Sequence, residues 1–141
     1  MVDNSKVRGL RNNNPLNIRK GNNWQGERPN QTDKQFEEFT SMIYGWRAGL
    51  KILRNYIEGR AVKGVQLNTI HKIITRWAPA NENNTQAYIN TVCKRTGIHP
   101  FEVIRWKDRR KVVAIAQAMG YVECGKNLDE SLIESAYDLL A

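Results

Sequence analysis

The sequence predicts a mainly helical domain of the α+β class, with a small β-hairpin or sheet lobe near the N-terminus. Residues 11–33 are rich in Asn, Pro and Gly, which favour turns over long helices. From Ser41 onward, apolar residues recur every three or four positions, as on one face of a helix. The 141 residues, 40% of them hydrophobic, suit a single core. We therefore predict one domain, with a disordered tail at 1–7, a loop and β lobe at 8–40 and a helical lobe at 41–141.

The N-terminal lobe contains three segments that we expect to form short strands, at 16–19, 23–25 and 35–39. In the third segment two Phe residues flank two Glu residues, an imperfect version of the alternation expected of a half-buried strand. The turn-forming residues between the segments favour a small hairpin or sheet.

Helix boundaries in the second lobe follow from capping residues at the start and from Gly or Pro at the end. The first three predicted helices run from Ser41 to near Gly59, from Asn68 to Pro79, and from Asn84 or Thr85 to Gly97.

Three further elements are predicted after the third helix. Pro100 begins one short helical turn, which is too short to be stable without packing. A helix capped by Asp108 and ending at Glu123 is apolar nearly all round, which predicts the buried central helix. Asn127, followed three residues later by Glu130, indicates a capping box for the last helix.

The formal net charge of +8 favours an anionic partner. Nucleic acid, anionic membranes and acidic wall polymers all satisfy that description. The basic residues are mostly scattered, and only Arg105–Lys111 forms a local patch. Because the pattern around this patch indicates no recognition helix, we expect no nucleic-acid binding.

Metal and nucleotide chemistry find no support in the sequence. Cys93 and Cys124 form no CxxC pair, and no His lies at metal-ligand spacing, so we predict no metal site. Two unpaired thiols are expected, with a single bridge as the alternative. No GxxxxGK phosphate loop occurs, and we expect no cofactor. The longest apolar runs, such as 112–116, are far shorter than the roughly 20 residues of a membrane span.

The segment 8–18 combines four Asn side chains with two Arg side chains, a large hydrogen-bonding capacity for a short stretch. Sugars are recognised by such groups. Asn side chains also bond to nearby backbone and form turns, without any ligand. The segment taken alone leaves both interpretations open.

Several motifs in order resemble those of phage and prophage lysozyme-like proteins. The sequence carries RGLRNNNPLNI at 8–18, where that family has RGxRNNNPxNI, and WQG at 24–26, where it has WxG. An F-x-x-F element follows at 36–39, and a G-x-RA helix start at 45–48. The stretch 77–89 is similar to the family's WAP-x-x-EN-x-T-x-x-YI signature. Together these motifs cover most of residues 8–98.

The resemblance implies a lysozyme-like fold and a muramidase or lytic transglycosylase that acts on the glycan strands of peptidoglycan. Trp24 is expected to face a glycan groove and Trp46 to lie in the core, since large aromatics serve both purposes. The substrate-binding residues implied by the matching motifs are Arg11, Asn12, Asn13, Asn14, Asn17, Trp24, Phe39 and Tyr44.

Glu123 is the first candidate for the catalytic acid. The same motifs are similar, more distantly, to the NNLFGI and FR-x-Y segments of wall-lytic glucosaminidases, in which a catalytic Glu ends a helix before the Asn-rich element. Met1–Val7 contains no Glu, so the equivalent helix would lie later in the chain, as in a circular permutation. The apolar helix ending at Glu123 would then deliver a partly desolvated carboxyl group, a suitable general acid. The alternative is a solvated Glu in a terminal turn.

Glu82 is the second candidate, although it is equally suited to anchor its loop or to precede a helix as a favourable charge. Glycosidases ordinarily use two carboxylates. Lytic transglycosylases, by resemblance, manage with one Glu and the acetamido group of the substrate. Whether the chain is an enzyme therefore stays open, and the alternative is a non-catalytic glycan-binding or virion structural protein.

The polar N-terminal segment Met1–Arg11 lacks the apolar stretch of a secretory signal. We therefore expect the protein to be made in the cytoplasm and to act at the cell wall when released or carried by a phage particle. We expect a monomer unless the chain is part of a virion.

Overall fold

The computed structural model describes residues 7–81 and 83–140, and these residues are mainly helical, as predicted. The predicted tail therefore lies outside the described residues except for Val7. The helices within the described ranges are α1 (Arg8–Arg11), α2 (Met42–Ile57), α3 (Ile70–Trp77), α4 (Thr85–Thr96), α5 (Arg109–Cys124) and α6 (Glu130–Leu140).

Helix α5 is the central element, as its apolar sequence predicts. Val113, Ala116 and Met119 are fully buried along its length. Helices α1, α4 and α6 all pack against it, while α2 packs against α6 and α3 against α4. The helix ends at Gly125, whose φ of 76° is the left-handed geometry that glycine adopts without strain.

Helix α2 begins after Ser41, and its apolar face is buried as the spacing predicts. Trp46 and Leu50 have no exposed surface. Gly120 permits the close approach of α5, because a Cβ at this position would lie 2.7 Å from Cη2 of Trp46. Helices α2 and α5 therefore come into close contact where the Trp46 ring lies against Gly120.

The observed cap of α4 agrees with the prediction, and the observed cap of α3 does not. Asn84 caps α4 by accepting a hydrogen bond from the Ala87 N–H at 3.1 Å, which confirms one of the two predicted caps. At α3 the cap is Thr69, whose hydroxyl oxygen accepts from the Lys72 N–H at 3.1 Å, and not Asn68. Apolar spacing fixes a helix only to within a residue or two.

The predicted capping box at Asn127 is also wrong. The Asn127 side chain instead accepts a hydrogen bond from Arg95 of α4. The carboxylate of Asp129 takes the capping position and accepts from the Ser131 N–H at 2.9 Å. Glu130 is the first residue of α6.

The short helical turn predicted after Pro100 does not form, and a turn followed by extended chain takes its place. The Ile104 N–H donates to the Asn68 carbonyl at 2.7 Å, so this segment forms a hydrogen bond to the residues just before α3 in place of a helical hydrogen bond. Ile104 is buried, whereas Phe101 and Val103 are exposed. Conversely, α1 is a short helix that the sequence analysis did not predict.

The predicted hairpin or sheet is reduced, among the described residues, to isolated antiparallel bridges between Arg19 and Phe36 and between Glu27 and Phe39. Side chains occupy the positions that a strand partner would fill. The Gln31 amide nitrogen donates to the Glu38 carbonyl, and the Glu38 N–H donates to the Gln31 side-chain oxygen. Because these side chains satisfy the backbone, no continuous strand ladder develops.

None of the helices within the described ranges has both the length and the apolar character of a membrane-spanning segment.

Candidate functional site

An open cleft of about 540 Å³ lies between the N-terminal lobe and the helices. Side chains from both lobes line it, and aromatic rings make up much of the wall. The lining residues are Leu16, Asn17, Ile18, Arg19, Asn22, Trp24, Phe36, Ile52, Tyr56, Trp77, Ala78, Asn83 and Glu123. A cleft of this size is within the range of sites that hold small ligands or part of a chain.

Glu123 supplies the carboxyl group of the cleft, and three side chains hold it. Its Oε1 accepts a hydrogen bond from the Asn17 amide at 2.9 Å. Its Oε2 accepts from the Tyr88 hydroxyl at 2.9 Å and from the Trp77 indole N–H at 3.4 Å. The donors are uncharged, so they fix the orientation of the carboxyl group without forming an ion pair.

The position of Glu123 follows from the burial of α5. Cys124, the next residue, is buried, and its thiol donates to the Pro15 carbonyl at 3.4 Å. Burial, followed by the Glu123 charge, raises the pKa of the Cys124 thiol to about 11, so this donor stays protonated. The end of α5 is thereby attached to the Asn-rich segment, which brings Glu123 beside Asn17.

Asn17 has a left-handed backbone, with a φ of 53°, a conformation that Asn tolerates better than most residues. Its side-chain oxygen is buried without a hydrogen-bond partner among the described atoms. A Cβ added at Gly9 would lie 3.0 Å from that oxygen. Glycine at position 9 therefore leaves room for the Asn17 amide to reach Glu123.

Tyr88 joins the site from α4. Its ring is buried, with 7% of its surface exposed, while its hydroxyl meets the carboxyl group. Burial, reinforced by the Glu123 charge and hydrogen bond, raises the pKa of Tyr88 well above its ordinary value. The hydroxyl therefore remains a hydrogen-bond donor throughout the physiological pH range.

Asp33 organises the N-terminal lobe behind the cleft. Arg8 donates to both of its oxygens at 2.6 Å, and Asn12 donates to Oδ2 at 3.0 Å. The backbone N–H groups of Gln35 and Phe36 donate to Oδ1 at 2.9 Å. The Arg8 hydrogen bond, above the other contacts, holds the pKa of Asp33 far below its usual range. Asp33 therefore ties α1 to the segment that carries Phe36 into the cleft.

Two further carboxyl groups of the lobe are buried. Burial raises the pKa of Glu37, and the neighbouring Glu27 adds to this, giving about 7. Burial also acts to raise the pKa of Glu38, but hydrogen bonds from the Asp33 and Thr32 backbone and from other groups outweigh it and lower the value. Neither Glu37 nor Glu38 is among the residues that line the cleft.

The structure distributes the predicted substrate-binding residues unevenly. Asn17 and Trp24 lie in the cleft wall. Asn12 and Asn14 are buried, and Asn14 donates to the Ile18 and Glu37 carbonyls at 2.9 and 3.0 Å. These two amides serve the fold of the lobe, the interpretation that the sequence left open.

The remaining predicted substrate-binding residues are not among those that line the cleft. Asn13 donates to the carbonyl of Phe39 at 3.2 Å, and the Phe39 ring has no exposed surface. Tyr44 packs over Gly26, where a Cβ would lie 2.2 Å from Cγ of the ring. Arg11 is exposed, and its carbonyl accepts from Arg28.

Glu82, the second predicted acid, lies outside the described residues. The adjacent Asn83 is exposed and lines the cleft.

Four aromatic residues of the site were not among the predicted substrate-binding residues, and one of them, Phe36, belongs to the F-x-x-F element. Trp77 and Tyr88 fall within the 77–89 motif, which was a usable signal. Tyr56 lies one turn after Ile52 on α2, and both line the cleft. The Tyr56 and Trp77 rings meet edge to face, with centroids 6.5 Å apart, so they form a continuous aromatic surface.

Among residues 7–81 and 83–140, no group of His, Cys, Asp and Glu is arranged to hold a metal ion. Both cysteines are free thiols. Among the described residues, the chemistry available in the cleft is therefore that of one oriented carboxyl group beside aromatic, amide and guanidinium side chains.

No protein-family model matches the chain. The chain is similar to protein P5 of Pseudoalteromonas phage PM2, with 50% identity over 99 residues. The aligned residues make up 67% of this chain and 59% of protein P5, so the chain spans about three-fifths of that relative. The similarity therefore connects most of the chain to a protein of phage origin.

Proposed function

We propose that this chain is a lysozyme-like, phage-type protein that cleaves the glycan strands of peptidoglycan, as a muramidase or a lytic transglycosylase. Glu123 is the proton donor to the leaving glycosidic oxygen. The supporting observation is the position of this carboxyl group in an open, aromatic-lined cleft, where Asn17, Tyr88 and Trp77 orient it.

The hydrogen bonds around Glu123 suit the donation of a proton. A carboxylate has about four acceptor positions, two on each oxygen. Asn17 occupies one position on Oε1, while Tyr88 and Trp77 occupy two on Oε2. The remaining position is on Oε1, and in our proposal this is the atom that carries the proton to be donated. After transfer, all three donors stabilise the carboxylate product, which lowers the barrier for this step.

The reaction class that fits best uses one carboxyl group of the protein and a nucleophile that the substrate itself supplies. Glu123 is the carboxyl-bearing residue among the described residues that line the cleft. Glycosidases with two carboxylates place both beside the scissile bond. With one carboxyl group, the acetamido oxygen of the sugar attacks its own anomeric carbon while Glu123 protonates the leaving oxygen. The Glu123 carboxylate then takes a proton from the hydroxyl, of water or of the sugar itself, that opens the resulting oxazolinium ring at the anomeric carbon. The aromatic walls, including Trp24, hold the sugar rings by their apolar faces.

The decisive experiment compares wild type with Glu123→Gln on purified sacculi, measuring released muropeptides by chromatography. We expect loss of release by at least about 100-fold, the usual contribution of a general acid. Glu130→Gln is the control, because Glu130 is an exposed residue at the start of α6. Release by Glu123→Gln at the wild-type rate, with both variants folded, would overturn the proposal.

A non-catalytic glycan-binding or virion structural role is the second candidate. It is favoured by the engagement of both Glu123 oxygens with other side chains of the protein. It predicts that wild-type protein sediments with sacculi and releases no muropeptide. Glu123→Gln would then bind with unchanged affinity.

A further inference from the structure

A second pocket, of about 320 Å³, lies on the other side of the last turn of α2 from the cleft. Tyr56 faces the cleft, while the next residues, Ile57 and Glu58, face this pocket. We call it the basic pocket. Its lining residues are Ile57, Glu58, Gln66, Asn68, Ile104, Arg105, Trp106 and Lys107.

Two cations of the Arg105–Lys111 patch, Arg105 and Lys107, line the basic pocket. Arg109 is neutralised by Glu134 and Asp138, and Lys111 by Glu102. The Lys107 ammonium has no ion-pair or hydrogen-bond partner in the described part of the chain. Two cations, those of residues 105 and 107, therefore stand at the rim of one apolar recess.

The charges at the rim do not cancel. Arg105 contacts Asp108 at 3.6 Å and keeps 65% of its side-chain surface exposed, so this ion pair is weak. Glu58 is engaged by Arg54 at 3.1 Å and by Arg60 at 3.2 Å. An anionic group entering the pocket therefore meets cations that have not been neutralised.

The surface that the basic pocket offers to a ligand does not suit the stacking of a sugar ring. Ile104 and Ile57 lie beneath the pocket and have 0% and 4% of their surface exposed, so they offer a ligand almost no contact area. Tyr137 stacks on Trp106 with centroids 4.6 Å apart, and the Arg54 guanidinium lies 5.3 Å from the Trp106 centroid. These contacts occupy the ring surface on which a sugar would stack, and only the edge of Trp106 remains for a ligand.

We infer that the basic pocket binds a short anionic peptide, with a carboxylate at Arg105 and Lys107 and a small side chain against the accessible edge of Trp106. The Gln66 and Asn68 amides at the rim supply donors and acceptors for its peptide groups. In the wall polymer these are the peptide stems, an identification that rests on the proposed function.

The test is titration of the full chain with glycan-free peptidoglycan stem tetrapeptide, followed by backbone amide chemical shifts. We expect saturable shifts at the basic pocket and affinity at least about 10-fold weaker for Lys107→Gln, as for a lost charge-assisted hydrogen bond. Arg110→Gln is the matched control, because Arg110 belongs to the same basic run, is exposed and does not line the pocket. It should bind as wild type.

Three outcomes would overturn the inference: no saturable shift, equal weakening by Arg110→Gln, or equal binding of a peptide whose carboxylates are amidated. The inference and the proposed function fail separately. Glu123→Gln should abolish muropeptide release and leave tetrapeptide binding intact. Muropeptide release by wild type without any tetrapeptide binding would refute the inference about the basic pocket and leave the proposed function standing.

Discussion

Replacing Asp33 by Asn tests whether one carboxylate holds the N-terminal lobe in place. If the Asn oxygen keeps the two backbone donors at Oδ1, its NH₂ group faces Arg8 Nε and the Asn12 amide, which are also donors. Two hydrogen bonds to a charged acceptor are then lost. Each contributes about 1.5–3 kcal/mol.

The solvent exposure of Arg8 and Asp33 determines how large the loss in the free energy of unfolding should be. The Arg8 side chain is 40% exposed and that of Asp33 only 5%. Because water screens and partly replaces the Arg8 contact, we expect Asp33→Asn to lower the free energy of unfolding by about 3 kcal/mol, toward the low end of the sum. For a chain of this length the melting temperature should fall by about 10 °C.

The assay is urea unfolding followed by circular dichroism, with Asp129→Asn as control. Asp129 is exposed and caps α6, a position where Asn serves equally well, so the control should be neutral. The depressed pKa of Asp33 means that its stabilisation is present above the unfolded pKa and is lost as pH falls below about 4. The two curves should therefore converge only in acid. A difference under about 1 kcal/mol at neutral pH would refute the assignment of Asp33 as the organiser of the lobe.

Three more predictions concern the lobe and the cleft. Burial and the neighbouring Glu27 raise the pKa of Glu37 to about 7, so Glu37 stays protonated to a higher pH in the folded chain than in the unfolded chain. Wild type therefore loses stability as pH rises from about 4.5 to 7. Glu37→Gln should therefore melt above wild type near pH 8 and lose that advantage near pH 4, and a pH-independent difference would contradict the raised pKa of Glu37. Gly45→Ala places a Cβ 1.9 Å from the Asn13 carbonyl, so we expect a loss of about 2–3 kcal/mol in urea unfolding, and a neutral result would show that this contact relaxes. Tyr88→Phe should reduce muropeptide release about 10- to 100-fold while the fold survives, and full activity would exclude a positioning role for the hydroxyl.

The helical lobe could be predicted because its stability depends on local patterns. Apolar spacing located α2 through α6, and glycine at positions 97 and 125 ended two helices with φ near 75°. The missed details were caps, such as Thr69 in place of Asn68, where two neighbouring polar residues compete for one backbone N–H. Nothing in the local sequence decides that competition.

The N-terminal lobe was harder to predict because its order comes from side chains distant in sequence. Asp33 is bonded to Arg8, 25 residues away, and Glu38 to Arg28. Such contacts leave no periodic signal. An alternation of Phe and Glu near position 36 indicated a strand, yet the Glu38 carboxylate turned inward to accept hydrogen bonds from the Thr32 and Asp33 backbone N–H groups and from Arg28.

Within the cleft, Glu123 was found by combining the resemblance to wall-lytic enzymes with the apolar helix that carries it, whereas apolar periodicity concealed the role of Tyr88. The helix that ends at Glu123 is apolar nearly all round, which marked its terminal acid as unusual. Tyr88 satisfied the same periodicity as a core residue of α4. Both descriptions of Tyr88 hold, because its ring packs in the core while its hydroxyl reaches the carboxyl group.

Asn side chains serve two different purposes in the Asn-rich segment. Asn14 has both amide atoms engaged by the chain, since it donates to two carbonyls and accepts from the Ile18 N–H at 2.9 Å. Asn17, which shares a left-handed φ with Asn13, has its side chain outside this network and donates to Glu123 of α5. Glycine would adopt that φ more readily but would bring no donor to Glu123, and most larger residues would be strained there. Asn is thus the residue type that meets both the conformational and the hydrogen-bonding requirement at this position.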